Sequence, residues 1–327
     1  MRLFFICRRA AAAWLLLLAS TPMASAQQNP QSGALEVLQV RPNFYLIAGA
    51  GGNIGVQIGP DGVFVIDSGA AGMADQVLAA IKKISDQPIR YIINTSAEAD
   101  HVGGNEKLSV AGRTLLPLSD TVQADLAAVM TSGGVAPILA AEGVLLRMSA
   151  PTGRQSPFPN AAWPTETFSQ QRKYMHINGE GMEVLLQPAA HSDGDSFVFF
   201  RGSDIVMAGD ILDTTRFPAI DIAKGGSIQG ELDALNRLVD LAIPSIPFVW
   251  REGGTYIIPG HGRICEQSDV VEYRDMVTIV RDIIRDMIQR GMTLEQVKAA
   301  DPTKGYPQYG PPAAFVEAVY KSLGARK

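Results

Sequence analysis

The 327-residue sequence predicts an α/β sandwich, two mixed β-sheets packed face to face with helices on the outside. Two observations carry this. Short strand-like runs crowd residues 35–67 and give way to a helical pattern, and a second strand-rich block over 173–208 is again followed by helix. No internal repeat of 20–50 residues accompanies that duplicated order, so it points to two layers of one fold.

The elements follow in turn. Leu35–Val40, Phe44–Ala48, Asn53–Ile58 and Gly62–Asp67 read as strands, the last two joined through Gly59-Pro60-Asp61-Gly62, where Pro60 presets φ and Gly62 tolerates left-handed geometry. Residues 72–84 place Met73, Val77, Leu78 and Ile81 at helical spacing, and Ile89–Thr95 is a buried strand. Helices are expected over Asp120–Met130 and, in an alanine-rich stretch, over Pro137–Gly143. Residues 149–170, with Pro151, Pro157, Pro159 and Pro164, read as a loop. Strands Lys173–Ile177, Met182–Pro188, Ser196–Phe200 and Asp204–Ala208 come next. Helix Ile228–Leu241, strand Thr255–Pro259 and helix Val270–Gln289 complete the pattern, the last helix with an apolar stripe of Met276, Ile279, Val280, Ile283 and Met287.

Residues 1–26 are expected to be a cleaved signal peptide. Arg2, Arg8 and Arg9 precede and flank a short apolar run, and Ala24-Ser25-Ala26 supplies a small-residue cleavage site. The run is too short to span a bilayer. The expectation is therefore a periplasmic or secreted protein, cut after Ala26 and without membrane attachment afterwards. Residues 27–327 then form a single domain with a helical extension from about 266 to 327. Loss of the three arginines takes the net charge from −5 to −8. That acidity argues against a nucleic-acid or anionic-membrane partner, and the expected partner is a small-molecule substrate. Cys7 leaves with the leader, so Cys265 stands alone and no internal disulfide can form.

Of the four histidines, three lie in short polar segments placed after strands: His101 in Asp100-His101-Val102-Gly103-Gly104, His191 in His191-Ser192-Asp193-Gly194-Asp195, and His261 in Pro259-Gly260-His261-Gly262. Asp210 follows another strand in Ala208-Gly209-Asp210. Strand ends that deliver imidazoles and carboxylates into loops are where an open metal site can be assembled. If residues 96–100 are extended, Ser96, Glu98 and Asp100 project to one side. His176, inside a strand, reads as a packed or surface residue, and Cys265 as a small buried hydrophobe. Phe158, Trp163 and Phe168 either wall a cleft or cap the sandwich edge.

These segments resemble the metallo-β-lactamase superfamily, whose motif reads H-x-H-x-D-H, followed later by His, Asp and His. Val65-Ile66-Asp67-Ser68-Gly69 resembles it too, and the resemblance makes Asp67 a support behind the metal ligands. Across about residues 35–265 it implies an αββα fold, with Asp100, His101, Asp210 and His261 holding a metal and Asp100 also able to relay a proton. Ser96 and Glu98 depart from the pattern, standing where its first two histidines would be. A second position would rely on Glu98, His191 and shared Asp210, a harder ligand set that favours zinc less and iron or manganese more. The resemblance thus implies an exported metal-dependent hydrolase using one or two Zn²⁺, or Fe or Mn, on an ester- or lactam-type bond. Two other readings stay open: a catalytically degenerate binding protein, and a non-haem iron redox enzyme, since Glu at the second position also resembles the flavo-diiron oxygen reductases. Substrate and oligomeric state are not legible.

Overall fold

Tight turns let the first four strands return one beside another, which builds an antiparallel sheet from local pairs. They are β1 (Glu36–Arg41), β2 (Phe44–Ala50), β3 (Gly52–Gly59) and β4 (Gly62–Ile66). The β3–β4 hairpin closes with Gly59 opposite Gly62, whose φ of 124° requires a residue without Cβ. Helix α1 (Ala74–Ile84) then carries the chain to β5 (Ile89–Ile93), and the sheet continues in parallel through β6 (Ile138–Ala141) and β7 (Glu166–Phe168). The computed structural model describes residues 34–114, 134–151, 155–245 and 253–324. The expected leader over 1–26 and the expected helix over 120–130 lie outside these.

The second sheet runs in the order β12 (Tyr256–His261), β11 (Ile205–Asp213), β10 (Asp195–Phe200), β9 (Glu180–Gln187) and β8 (Arg172–Ile177), antiparallel except where β12 joins β11. Both sheets are therefore mixed. Their facing sides interlock through Phe44, Phe64, Ile66 and Leu139 from the first and Val184, Val198, Phe200 and Met207 from the second. Phe44 meets Phe200 edge to face with 5.0 Å between ring centres. The outer face of the first sheet, with Ile47, Ile54 and Val65, is covered by Val77 and Ile81 of α1 and Leu108 of α3 (Asn105–Ala111). The outer face of the second carries α5 (Ile228–Leu241), α6 (Gln267–Gln289) and α8 (Ala313–Gly324). The result is the αββα sandwich predicted above.

Three expectations are corrected. The alanine-rich stretch 137–143 is chiefly strand: Ile138–Ala141 form β6, buried along their whole length between β5 and β7, and helix α4 (Glu142–Ser149) begins only afterwards. Burial on both faces of a parallel sheet suits a continuous apolar run and overrides the helix preference of alanine. The loop over 149–170 is not wholly irregular, since its end supplies β7. Finally, the buried side of α6 is Val270, Tyr273, Met276, Val277, Val280 and Ile284, whereas Ile279 is 47% exposed and Ile283 36%. Two adjacent apolar stripes fit this helix, and its packing on α5 and α8 selected one. Beyond α6, the short α7 (Leu294–Ala299), with a Thr293–Gln296 capping box, leads to α8. No described helix is long and apolar enough to cross a membrane.

Candidate metal centre

The segment after β5 is not extended throughout. Backbone N–H groups of His101 and Val102 bond the carbonyl of Glu98, and that of Gly103 bonds Ala99, which winds Ala99–Val102 into a helical turn, α2. The side-chain period changes there from two towards 3.6, so Ser96, Glu98 and Asp100 do not share one direction. Ser96 Oγ lies 3.0 Å from Asp210 Oδ2, Glu98 faces His191 and Lys224, and Asp100 faces His261.

Three ligand-bearing atoms converge, one each from Asp100, His101 and His261, all within 4.8 Å of one another. Asp210 stands beside them. Its Oδ1 is 3.1 Å from His101 Nε2 and 3.7 Å from His261 Nε2, while Asp100 Oδ2 is 3.1 Å from His261 Nε2. Two ligands ~2.1 Å from a tetrahedral ion are separated by ~3.4 Å, and these three distances bracket that edge. His261 Nε2 is buried, and no well-directed hydrogen bond reaches it despite the two nearby carboxylates. An orphaned ring nitrogen aimed into a cluster of acidic oxygens is what a ligand set for a cation looks like. Two imidazoles and the Asp100 carboxylate therefore fit a divalent metal, with the Asp210 carboxylate close to both rings.

The strands aim these groups. Asp210 lies within β11, directly after Gly209, where the β11–β12 register shifts. Gly209 has φ of 56°, and a Cβ on it would sit 2.6 Å from Thr95 Oγ1. Only glycine admits that backbone beside that hydroxyl. His261 ends β12. His101 is fully buried, and its Nδ1 lies 2.8 Å from Asp67 Oδ2. Asp67 also accepts from Thr95, at 2.8 Å from the backbone N–H and 2.7 Å from Oγ1.

The electrostatics are those of tightly paired charges. Burial opposes a charge on His101, but the carboxylates of Asp210 and Asp67 overcome it and raise its pKa well above the ordinary value. Burial likewise opposes ionisation of Asp210, yet His101 and the other two histidines hold it far below the usual carboxylate range. His261 lowers Asp100. His191, in the turn between β9 and β10, is raised to about 9: burial resists, while Glu98, Asp195 and Asp210 favour the charged ring. Glu98 falls to about 2 through its bond to His191 and, against burial, through Lys224. Asp195 braces the His191 turn by accepting from the Ser192 hydroxyl at 2.9 Å, and burial lifts its pKa to about 6.

Two cavities open beside the cluster. One of about 400 Å³ touches Asp100 and is walled by Ala70, Ala71, Phe158, Pro159 and Ala162. Another of about 560 Å³ starts at Glu98, His191 and Lys224 and extends to Ile220, Phe315 and Lys321. Trp163 and Phe168 join the core between the sheets. His176 is exposed on β8, and Cys265 is 1% exposed.

The metallo-β-lactamase superfamily profile matches residues 47–117, from β2 through the Asp100-His101 segment. The chain is 22% identical to a linear primary-alkylsulfatase from Pseudomonas sp. over 280 residues, which is 76% of this chain and 50% of the relative. A stereoselective inverting sec-alkylsulfatase from Pseudomonas sp. superposes with a TM-score of 0.62 at 14% identity, over 89% of this chain and 50% of the other. A metallo-β-lactamase from Pontibacter korlensis gives a TM-score of 0.53 at 17% identity, over 75% and 99%. At those identities the structural likeness concerns the fold. The chain spans about half the length of the curated relative it matches. Sequence reasoning missed Lys224 and Thr95, which touch Glu98 and Asp67. Neither sits in a metal-ligand pattern, and only long-range packing reveals them.

Proposed function

We propose that the chain is a metal-dependent hydrolase in which water attacks an ester- or lactam-type bond of a small molecule. The convergence of Asp100, His101 and His261, with Asp210 alongside, is the observation that supports it. These four residues would hold a divalent ion, zinc first and iron or manganese as alternatives. Such an ion, when bound, supplies a Lewis acid and lowers the pKa of a water toward ~7. Asp100 is 35% exposed at its side chain and borders the cavity walled by Phe158, Pro159 and Ala162, so its carboxylate is the group placed to take a proton from the attacking water. His101 is kept in orientation by Asp67 behind it. Export to the periplasm or beyond, directed by residues 1–26, belongs to the same proposal and rests on the three-part layout of that segment.

For the substrate, the alkylsulfatase relative adds sulfate esters to the carboxylate esters, lactones and lactams that the fold admits. A binding role without catalysis is the second reading, favoured by Ser96 and Glu98 where the superfamily motif has histidines. One experiment separates them. Protein purified without added metal is analysed for bound metal, then assayed on alkyl sulfates, esters, lactones and lactams with Zn²⁺, Mn²⁺ and Fe²⁺ supplied separately. The hydrolase reading expects bound metal and turnover that a chelator abolishes and metal restores. Near-zero metal, with no rise in melting temperature on titration, would overturn it in favour of the binding role.

A further inference from the structure

Beside the cluster of Asp100, His101 and His261 lies a second group of polar side chains, and it already contains a cation. Lys224 Nζ is 2.9 Å from Glu98 Oε1 and 3.1 Å from Asp221 Oδ2. The same Glu98 oxygen is 3.4 Å from His191 Nε2. Lys224 is not a loose surface lysine swung in by chance. It ends a 3₁₀ turn, Ile222–Lys224, that is capped by the Asp221 side chain accepting from the Lys224 backbone N–H, and its carbonyl receives the Asp193 N–H and the Arg147 guanidinium. His191 is fixed as well, its Nδ1 bonded to the Ala219 carbonyl so that Nε2 faces Glu98.

This arrangement does not fit a second metal ion on Glu98, His191 and Asp210. Ser96 brings only a neutral hydroxyl, already 3.0 Å from Asp210 Oδ2. An ion ligated by Glu98 Oε1 at ~2.1 Å would stand at most about 5 Å from the Lys224 ammonium. Like charges that close, with side chains only partly in water, repel strongly. We propose that the Lys224 ammonium takes the place of a second metal, so that the protein holds one divalent ion, on Asp100, His101, Asp210 and His261, and Lys224 keeps another out. The inference rests on the metal-centre reading above and adds its stoichiometry.

The test counts metal. Wild type, Lys224→Met and Lys224→Arg are loaded with excess zinc, desalted, and measured for zinc per chain, with circular dichroism to establish that each is folded. Lys224 has a 40% exposed side chain, and methionine keeps most of its apolar stem. One zinc per chain is expected for wild type and for the arginine variant. The methionine variant is expected to approach two, since the adjacent Glu98 and His191, 3.4 Å apart, are then released from the ammonium as ligands, with the second zinc bound at least ~10-fold more tightly than in wild type. Two zincs in wild type, or a folded methionine variant that stays at one, would overturn the proposal and leave the metal centre standing. No zinc in any of the three would remove the metal centre and this inference together.

Discussion

Replacing Asp67 by Asn probes how the fold prepares the metal centre without touching a ligand. Asp67 is 1% exposed and accepts three donors: the Thr95 N–H, the Thr95 hydroxyl and the His101 ring through Nδ1. Its φ is 62°, a left-handed conformation that asparagine tolerates as well as aspartate, so the backbone can stay in place. Asparagine has one acceptor oxygen where three donors point. If that oxygen keeps the Thr95 N–H, the amide NH₂ faces His101 Nδ1, which must then accept. The ring proton moves to Nε2, the atom that points at Asp210 Oδ1 and into the ligand cluster. A protonated Nε2 cannot ligate. Restoring the ligating tautomer leaves two donors opposed, a cost of the size measured when outer partners of ligating histidines are removed, ~10–100-fold in metal affinity or about 1.4–2.7 kcal/mol. The metal-free fold loses about 1.5–3 kcal/mol for each bond to the buried carboxylate that asparagine does not replace. Zinc titration against a competing chromogenic chelator measures the affinity, and thermal unfolding of the metal-free protein measures the fold. A folded Asp67→Asn variant whose zinc dissociation constant stays within threefold of wild type would refute the argument that Asp67 sets the His101 tautomer.

Four further outcomes are expected. His261→Ala removes the orphaned ring nitrogen and should lose most bound metal, so elemental analysis returning a full complement would exclude His261 as a ligand. Ser96→His together with Glu98→His supplies two imidazoles and withdraws the carboxylate partner of Lys224, and zinc per chain should rise toward two; an unchanged count would show these side chains to be misplaced. On α6, Ile284→Ala should cost about 2–5 kcal/mol in chemical denaturation, whereas Ile279→Ala, at a 47% exposed position, should stay within about 0.5 kcal/mol; equal losses would contradict the packed face. Burial raises the Cys265 thiol to about 12, so at pH 8 it is protonated as well as hidden, and a thiol reagent should label it only after unfolding; rapid labelling of native protein would refute its burial.

The sequence by itself determined the layers and the cast of the metal centre. Hairpin turns and periodicity are local signals, so β1–β4, β8–β10 and α5 could be read from windows of a few residues. His101, Asp210 and His261 were likewise legible as polar residues at the ends or bends of apolar strands. What the tertiary structure decided is everything that depends on who lies opposite. Ile138–Ala141 became strand because β5 and β7 flank it, and α6 buried Val277 and Ile284 in preference to Ile279 and Ile283 because of its contacts with α5 and α8. The helical turn at Ala99–Val102 sent Glu98 away from Asp100 and toward Lys224, 126 residues distant in sequence. Local pattern fixes which way a side chain can point from its own element. Only the packing of distant segments supplies the charge or donor it meets there.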